Sequence, residues 1–213
     1  VEFLRDEVQR RRGFAKVVLG LSGGVDSAVV AYLAAAAFGP EQVTAVRMPY
    51  RTSSSESLDH ARLVVDALGI REQTIDISAA VDGYAAASGD TPTAARLGNV
   101  MARTRMLALF DRSAALNALP LGTGNKSERL LGYFTWHADD APPVNPIGDL
   151  FKSQVWALAR HLGVPDAIVN KPASADRSKS IFASPVSPTS NSPAAVWRTL
   201  AVDASRNWCA DHR

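Results

Sequence analysis

Between an apolar run at 16–21 and an alanine-rich stretch at 26–38 lies Gly20-Leu-Ser-Gly-Gly-Val-Asp-Ser27, a glycine loop that joins a buried strand to a helix. That arrangement commits the chain to a βα unit and creates an anion site. Ser22, Gly23 and Gly24 let backbone N–H groups curl around phosphate oxygens, the helix N-terminus adds partial positive charge, and Ser22 and Ser27 supply hydroxyls. Asp26 does not belong in a bare phosphate cradle. A carboxylate among phosphates is repulsive unless a cation lies between them, so Asp26 points to Mg²⁺ bridging it to a polyphosphate. The plainer reading is a tight strand-to-helix turn. The pattern lacks the Gly-Lys-Ser/Thr ending of the kinase and GTPase P-loop.

The rest of the chain repeats the same alternation. Apolar, β-rich runs recur at 42–48, 73–77 and 119–122, and helical patterns at 57–68, 93–116 and 150–161 separate or follow them, the last with Asp149 as its expected cap. Strands and helices alternating at these lengths predict an α/β fold with a doubly wound parallel sheet and helices on both faces. Ligands then belong beyond the carboxyl ends of the strands. The unusual residues fall there: the first loop, the segment 49–56, and Gly122-Thr-Gly-Asn125 after the last strand.

Two more groups stand out. In Gly122-Thr-Gly-Asn-Lys-Ser-Glu128 the glycines allow close backbone approach, Thr123 presents a hydroxyl at the strand end, and Glu128 lies one helical turn further on. Alone, its plainer and lesser reading is a capped turn with a solvated Glu. Paired with Asp26 across a switch point, it gives the two carboxylates that a hydrated Mg²⁺ on a polyphosphate takes. On the long helix, Asn99 and Arg103 share a face, while Leu97, Val100, Thr104 and Leu107 form an opposite stripe expected to face the core. Arg103 is either a solvated helix arginine or a clamp for a carboxylate or phosphate of a substrate. Spacing does not choose between them.

With these residues in place, the chain resembles the ammonia-dependent NAD synthetases, a family of N-type ATP pyrophosphatases. The motifs are Gly20-Leu-Ser-Gly-Gly-Val-Asp-Ser27, Gly98-Asn-Val-Met-Ala-Arg-Thr-Arg-Met106, Gly122-Thr-Gly-Asn-Lys-Ser-Glu128 with Gly132-Tyr-Phe-Thr135, Asn145-Pro-Ile-Gly-Asp-Leu-Phe-Lys152 and Lys171-Pro-Ala-Ser-Ala-Asp176. The resemblance implies an adenine nucleotide alpha hydrolase-like fold. It implies ATP binding by Gly20, Leu21, Ser22, Gly23, Gly24, Val25, Asp26, Ser27, Thr123, Lys152 and Ser174, with Asp26 and Lys152 at the chemistry. It also implies Mg²⁺ at Asp26 and Glu128, deamido-NAD at Asn99, Arg103 and Tyr133, and a homodimer. The implied reaction has two steps. The nicotinate carboxylate of deamido-NAD attacks the α-phosphorus of ATP and expels pyrophosphate; ammonia then displaces AMP from the acyl-adenylate.

The sequence departs from this family in two places. Trp136 and Pro143 stand where the family has a Lys and an Asp associated with deamido-NAD, and His137 beside them reads as structural or exposed rather than catalytic. The family's acidic lid sequence is absent after Asp176. Residues 1–176 therefore read as an NAD synthetase-like ATP pyrophosphatase domain, and 177–213 as a divergent Ser/Pro-rich tail expected to be poorly ordered in part.

Charge and cysteine usage narrow the alternatives. The chain has 213 residues and a net charge of +2, of which five Lys/Arg against two Asp in 177–213 contribute +3, so residues 1–176 stand at −1. The pI near 8.9 is thus no sign of a nucleic-acid surface. Cys209 is the one cysteine, which excludes a disulfide framework, a Cys-rich metal site and paired-cysteine sulfur transfer. No apolar run approaches the roughly 20 residues of a membrane span, and a cytoplasmic protein without membrane or nucleic-acid partners is expected. The rival readings are another amidoligase of the same loop family, of the GMP or asparagine synthetase type, and a non-catalytic adenine-nucleotide-binding module. The 213 residues hold no recognisable glutaminase domain, and pure binding has no need of a second carboxylate at Glu128.

Overall fold

The computed structural model describes residues 1–171. Four parallel strands, β1 (Lys16–Gly20), β2 (Val43–Arg47), β3 (Arg71–Thr74) and β4 (Ala118–Leu121), form one sheet in the order β3-β2-β1-β4. Register follows from burial: Val17 pairs with Val43 on one side and Leu119 on the other. Val17, Val18 and Leu19 are fully buried, as an interior parallel strand covered on both faces requires. The edge strand β3 is polar in sequence and half exposed.

The helices are α1 (Glu2–Arg5, continuing as a π-helical turn over Asp6–Arg10), α2 (Val25–Phe38), α3 (Ser55–Leu68), α4 (Ser78–Ala87), α5 (Ala94–Leu116), α6 (Lys126–Leu130), α7 (Lys152–His161) and α8 (Asp166–Val169). Most ends carry legible signals. Ser54 Oγ accepts from Ser57 N at 3.2 Å and Thr93 Oγ1 from Arg96 N at 3.3 Å, while Gly69 and Asn117 close their helices with left-handed φ of 64° and 50°. The main core packs β1 and β2 against α2, α7 and α8, with Leu4 and Val8 at its margin.

The chain visits β1, β2 and β3 outward on one side, then returns through α4 and α5 to place β4 on the other side of β1. The switch point therefore lies between the carboxyl ends of β1 and β4, and a parallel bridge from Leu121 to Val144 brings residues 144–152 to the same place.

Four details differ from the sequence reading. The third strand occupies Arg71–Thr74 rather than 73–77, yet Ile75 N and Ile77 N still donate to Arg47 O and Pro49 O at 2.9 and 3.0 Å, so the apolar residues follow the strand into the core. Helix α4 was not anticipated because only Val81 is buried along it; Asp76 starts it by accepting from Ser78 N, and that contact and the Ser78 hydroxyl hold the Asp76 carboxyl below its ordinary range. On α5 Leu109 packs with Met106 and Leu116 against Val18, Val46 and Ala118 of the sheet, Leu97 and Val100 pack beside Ile77 and Val81, and Leu107, two turns beyond Val100, is exposed. Helix α7 starts at Lys152, and Gln154 Oε1, not Asp149, receives an N–H at its start, from Phe151 at 2.8 Å. The assignments to Ser174 and to the tail at 177–213 fall outside the described residues.

Leu109 is 1% exposed under β4, so Leu109→Ala is expected to cost about 2–5 kcal/mol of unfolding free energy. Tyr84→Ala, at a site 59% exposed on α4, is expected to stay within about 0.5 kcal/mol. Urea denaturation of both variants measures the difference.

Candidate active site

The loop after β1 is built around one glycine. Gly23 has φ +79°, and a Cβ there would lie 2.1 Å from the Ser57 carbonyl oxygen, because the first turn of α3 seats directly on it. Around it the hydroxyls of Ser22 and Ser27 are 3.2 Å apart, Ser22 Oγ accepts from Gly24 N at 3.3 Å, and Ser27 Oγ donates to Gly24 O at 3.0 Å. Leu21 and Val25 point into the core and anchor the loop, leaving only their backbone to serve a ligand. Helix α2 begins at Val25 with no side-chain cap, so its first N–H groups supply the positive end of the dipole.

Asp26, in the first turn of α2, faces the switch point. Its carboxylate forms an ion pair with Lys152 Nζ, at the start of α7, and its Oδ1 accepts from Asn125 Nδ2 at 2.9 Å. Asn125 is fully buried and caps α6: its Oδ1 accepts from Glu128 N at 3.0 Å, and Glu128 Oε2 accepts from Asn125 N at 3.1 Å. Ser127 Oγ in turn accepts from Lys152 N at 3.0 Å, which joins α7 to α6.

Ser22, Asp26, Ser27, Thr123, Gly124, Glu128 and Tyr133 line one cleft, together with Asp139, Asp140 and Asn145. Asn145, which the sequence marks only as the first residue of the 145–152 motif, shapes the strand-end loop. A Cβ on Gly122 or Gly124 would lie 3.2–3.3 Å from its side-chain amide, and its Oδ1 is buried without a hydrogen-bond partner among the described residues. Two of the substrate candidates stand back from the cleft. Asn99 is 8% exposed and its Oδ1 accepts from the buried Thr135 hydroxyl at 3.2 Å; Arg103 is exposed and its Nε donates to Trp136 O at 3.2 Å. Both therefore brace the segment 132–140, in which His137 adopts φ 60° and Trp136 is half exposed.

Among the described residues no three His, Cys, Asp or Glu side chains cluster as a metal site. The donor chemistry still fits one kind of cation. Asp26 and Glu128 offer hard carboxylate oxygens to a single cleft, a donor set that suits Mg²⁺, which takes one or two carboxylates with phosphate and water, whereas structural Zn²⁺ takes four protein ligands.

A family model described as NAD synthase matches residues 1–182. An NH3-dependent NAD+ synthetase of Chlorobaculum tepidum is 56% identical over 176 residues, covering 83% of this chain and 63% of its own length. The chain thus spans a little under two thirds of that relative. Among solved structures, an NH3-dependent NAD synthetase from Campylobacter jejuni is 40% identical with a TM-score of 0.75, over 80% of this chain and 73% of that one. An NMN synthetase from Francisella tularensis is 34% identical with a TM-score of 0.77, over 81% and 71%.

Gly23→Ala is expected to destabilise the protein by more than the roughly 1–2 kcal/mol of a left-handed backbone alone, because the new methyl group meets a backbone oxygen. Gly69→Ala, at φ +64° with nothing within 4 Å, carries the backbone cost without the clash. The two urea midpoints, compared directly, isolate the packing of α3 on the loop.

Proposed function

The chain belongs to the NAD synthase family, and from that membership we propose that it is an ammonia-dependent NAD synthetase, a ligase that converts deamido-NAD, ATP and ammonia to NAD, AMP and pyrophosphate in the cytoplasm. The observation that carries the reading is the convergence of the glycine loop, Asp26, Glu128 and Lys152 on one switch point.

In this reading the N–H groups of the loop 20–27, the Ser22 and Ser27 hydroxyls and Thr123 hold the triphosphate, while Lys152 supplies a positive charge beside it. Ser174 completes the ATP contacts that the family resemblance implies. Asp26 and Glu128 would hold Mg²⁺, which would supply charge neutralisation for the pyrophosphate leaving group. Adenylation asks little covalent help of the protein: the carboxylate oxygen of the nicotinate ring forms a bond to the α-phosphorus as the bond to the bridging oxygen of pyrophosphate breaks. Alignment by the loop and charge neutralisation by Lys152 are the main contributions. Ammonia then attacks the acyl carbon, the bond to the AMP oxygen breaks, and a proton leaves the nitrogen. Tyr133 lines the cleft on the acceptor side, and Asn99 and Arg103 shape that side through Thr135 and Trp136.

A homodimer is part of the same proposal. Leu107 is 71% exposed and Phe110 40% exposed one turn on along α5, an apolar pair that a second copy would cover. Sedimentation of the wild type is expected to give a dimer and of Leu107→Glu a monomer; a monomeric wild type at all concentrations overturns the assembly.

The function is tested by mass spectrometry of products after incubation with ATP, Mg²⁺, deamido-NAD and either ammonium or glutamine. NAD, AMP and pyrophosphate are expected with ammonium and little NAD with glutamine. Release of ADP, or ATP binding with no AMP formed, overturns the ligase reading in favour of other phosphoryl chemistry or a binding module.

A further inference from the structure

The motif Gly122-Thr-Gly-Asn-Lys-Ser-Glu128 contains a residue with no role in the reading above, Asn125. It is fully buried, and its backbone N–H, amide nitrogen and amide oxygen each make a hydrogen bond at the site. Its Nδ2 donates to Asp26 Oδ1 at 2.9 Å, its Oδ1 accepts from Glu128 N at 3.0 Å, and its own N–H donates to Glu128 Oε2 at 3.1 Å. The orientation of the amide is fixed by this set: turned over, it would set an oxygen against the Asp26 carboxylate and an NH2 against the Glu128 N–H.

We propose that Asn125 is the positioning residue of the carboxylate pair, tying Asp26 on α2 to Glu128 on α6 so that both carboxylates present to one divalent cation on the polyphosphate. The inference rests on the reading of Asp26 and Glu128 as cation ligands. Without the amide nothing else among the described hydrogen bonds ties the Asp26 carboxylate to α6; its other partner, Lys152, belongs to α7. The residue type follows from the two duties. Ser and Thr cap a helix as well but are too short to reach Asp26, Asp would place a second carboxylate against the first, and Ala does neither. A carboxylate offers about four lone-pair sites, so the bonds from Asn125 and Lys152 leave room for a metal.

The test uses Mn²⁺ as a spin probe in place of Mg²⁺, in the presence of an ATP analogue with a methylene bridge between the α- and β-phosphorus. Bound metal is read from the loss of the free-ion resonance, and unfolding midpoints are read alongside. Asn125→Ser and Asn125→Thr keep the cap and lose the tie, so Mn²⁺ affinity is expected to fall about 10–100-fold with midpoints close to wild type. Thr, nearer in volume, carries the same readout where the cavity left by Ser costs the fold. Asn125→Ala is expected to lose the same affinity and, in addition, the cap. Because Asn125 acts through Asp26, Asn125→Ser combined with Asp26→Asn is expected to bind no more weakly than Asp26→Asn alone.

Mn²⁺ affinity within twofold of wild type in both the Ser and Thr variants, or additive losses in the double variant, overturns the proposal. Loss of binding in Asp26→Asn with none in Asn125→Ser overturns this inference and leaves the cation reading standing. Unchanged binding in Asp26→Asn overturns the cation reading and this inference with it.

Discussion

The carboxylate of Asp26 is the hub on which the site depends. It sits in the first turn of a helix that carries no side-chain cap, it is largely withdrawn from solvent, and it is bonded to a buried amide from one helix and an ammonium from another. A desolvated charge is costly unless paired and hydrogen-bonded, and two partners meet that requirement. Their arrangement also brings α2, α6 and α7 together at one point. Lys152 and Asp26 offset each other's charge, while Glu128, Asp139 and Asp140 keep the cleft acidic.

The sheet makes that meeting place. Because β1 is interior and buried on both faces, its carboxyl end emerges in the middle of the molecule, with β2 feeding α3 on one side and β4 feeding α6 on the other. The first turn of α3 presses on Gly23, and Asn145 presses on the loop between Gly122 and Gly124. Each loop is thus shaped by packing from outside itself, which restrains backbone N–H groups that would otherwise wander. Preorganised donors are worth more than mobile ones wherever charge develops during a reaction.

Much of this was legible in the sequence, and the reasons differ by element. Buried strands such as Lys16–Gly20 announce themselves as continuous apolar runs, and Gly69 marks a helix end, whereas the starts expected at 57 and 93 fall at Ser55 and Ala94, capped by Ser54 and Thr93. Helix α4 was not legible, since with one buried residue it shows no stripe. Leu107 was misplaced because periodicity reports that a helix has faces, not how far a neighbouring helix extends along it. At the site, the loop, Asp26, Glu128 and Thr123 could be read from their own neighbours. The partners Asn125 to Asp26 and Asn99 to Thr135 could not, because those hydrogen bonds join residues 99 and 36 positions apart. The Asn-x-x-Glu spacing of 125–128 was the one local hint: it marks a capping box, and says nothing of the second bond that the same side chain makes.

The strand order also governs when the site comes into being. During synthesis β2 becomes available to β1 early, while the other edge of β1 must wait for Ala118 to Leu121 to emerge about a hundred residues later, a closure across a long intervening chain and a slow class of folding event. Asn125 and Lys152 arrive later still, 99 and 126 positions beyond Asp26. Until then an apolar strand with one open edge is exposed to pairing with other chains, the condition under which nascent α/β proteins aggregate. On the proposed function, a nucleotide that needs both halves of the switch point would engage only after the last strand has docked, so its capture would act as a latch on completed chains and on no earlier intermediate.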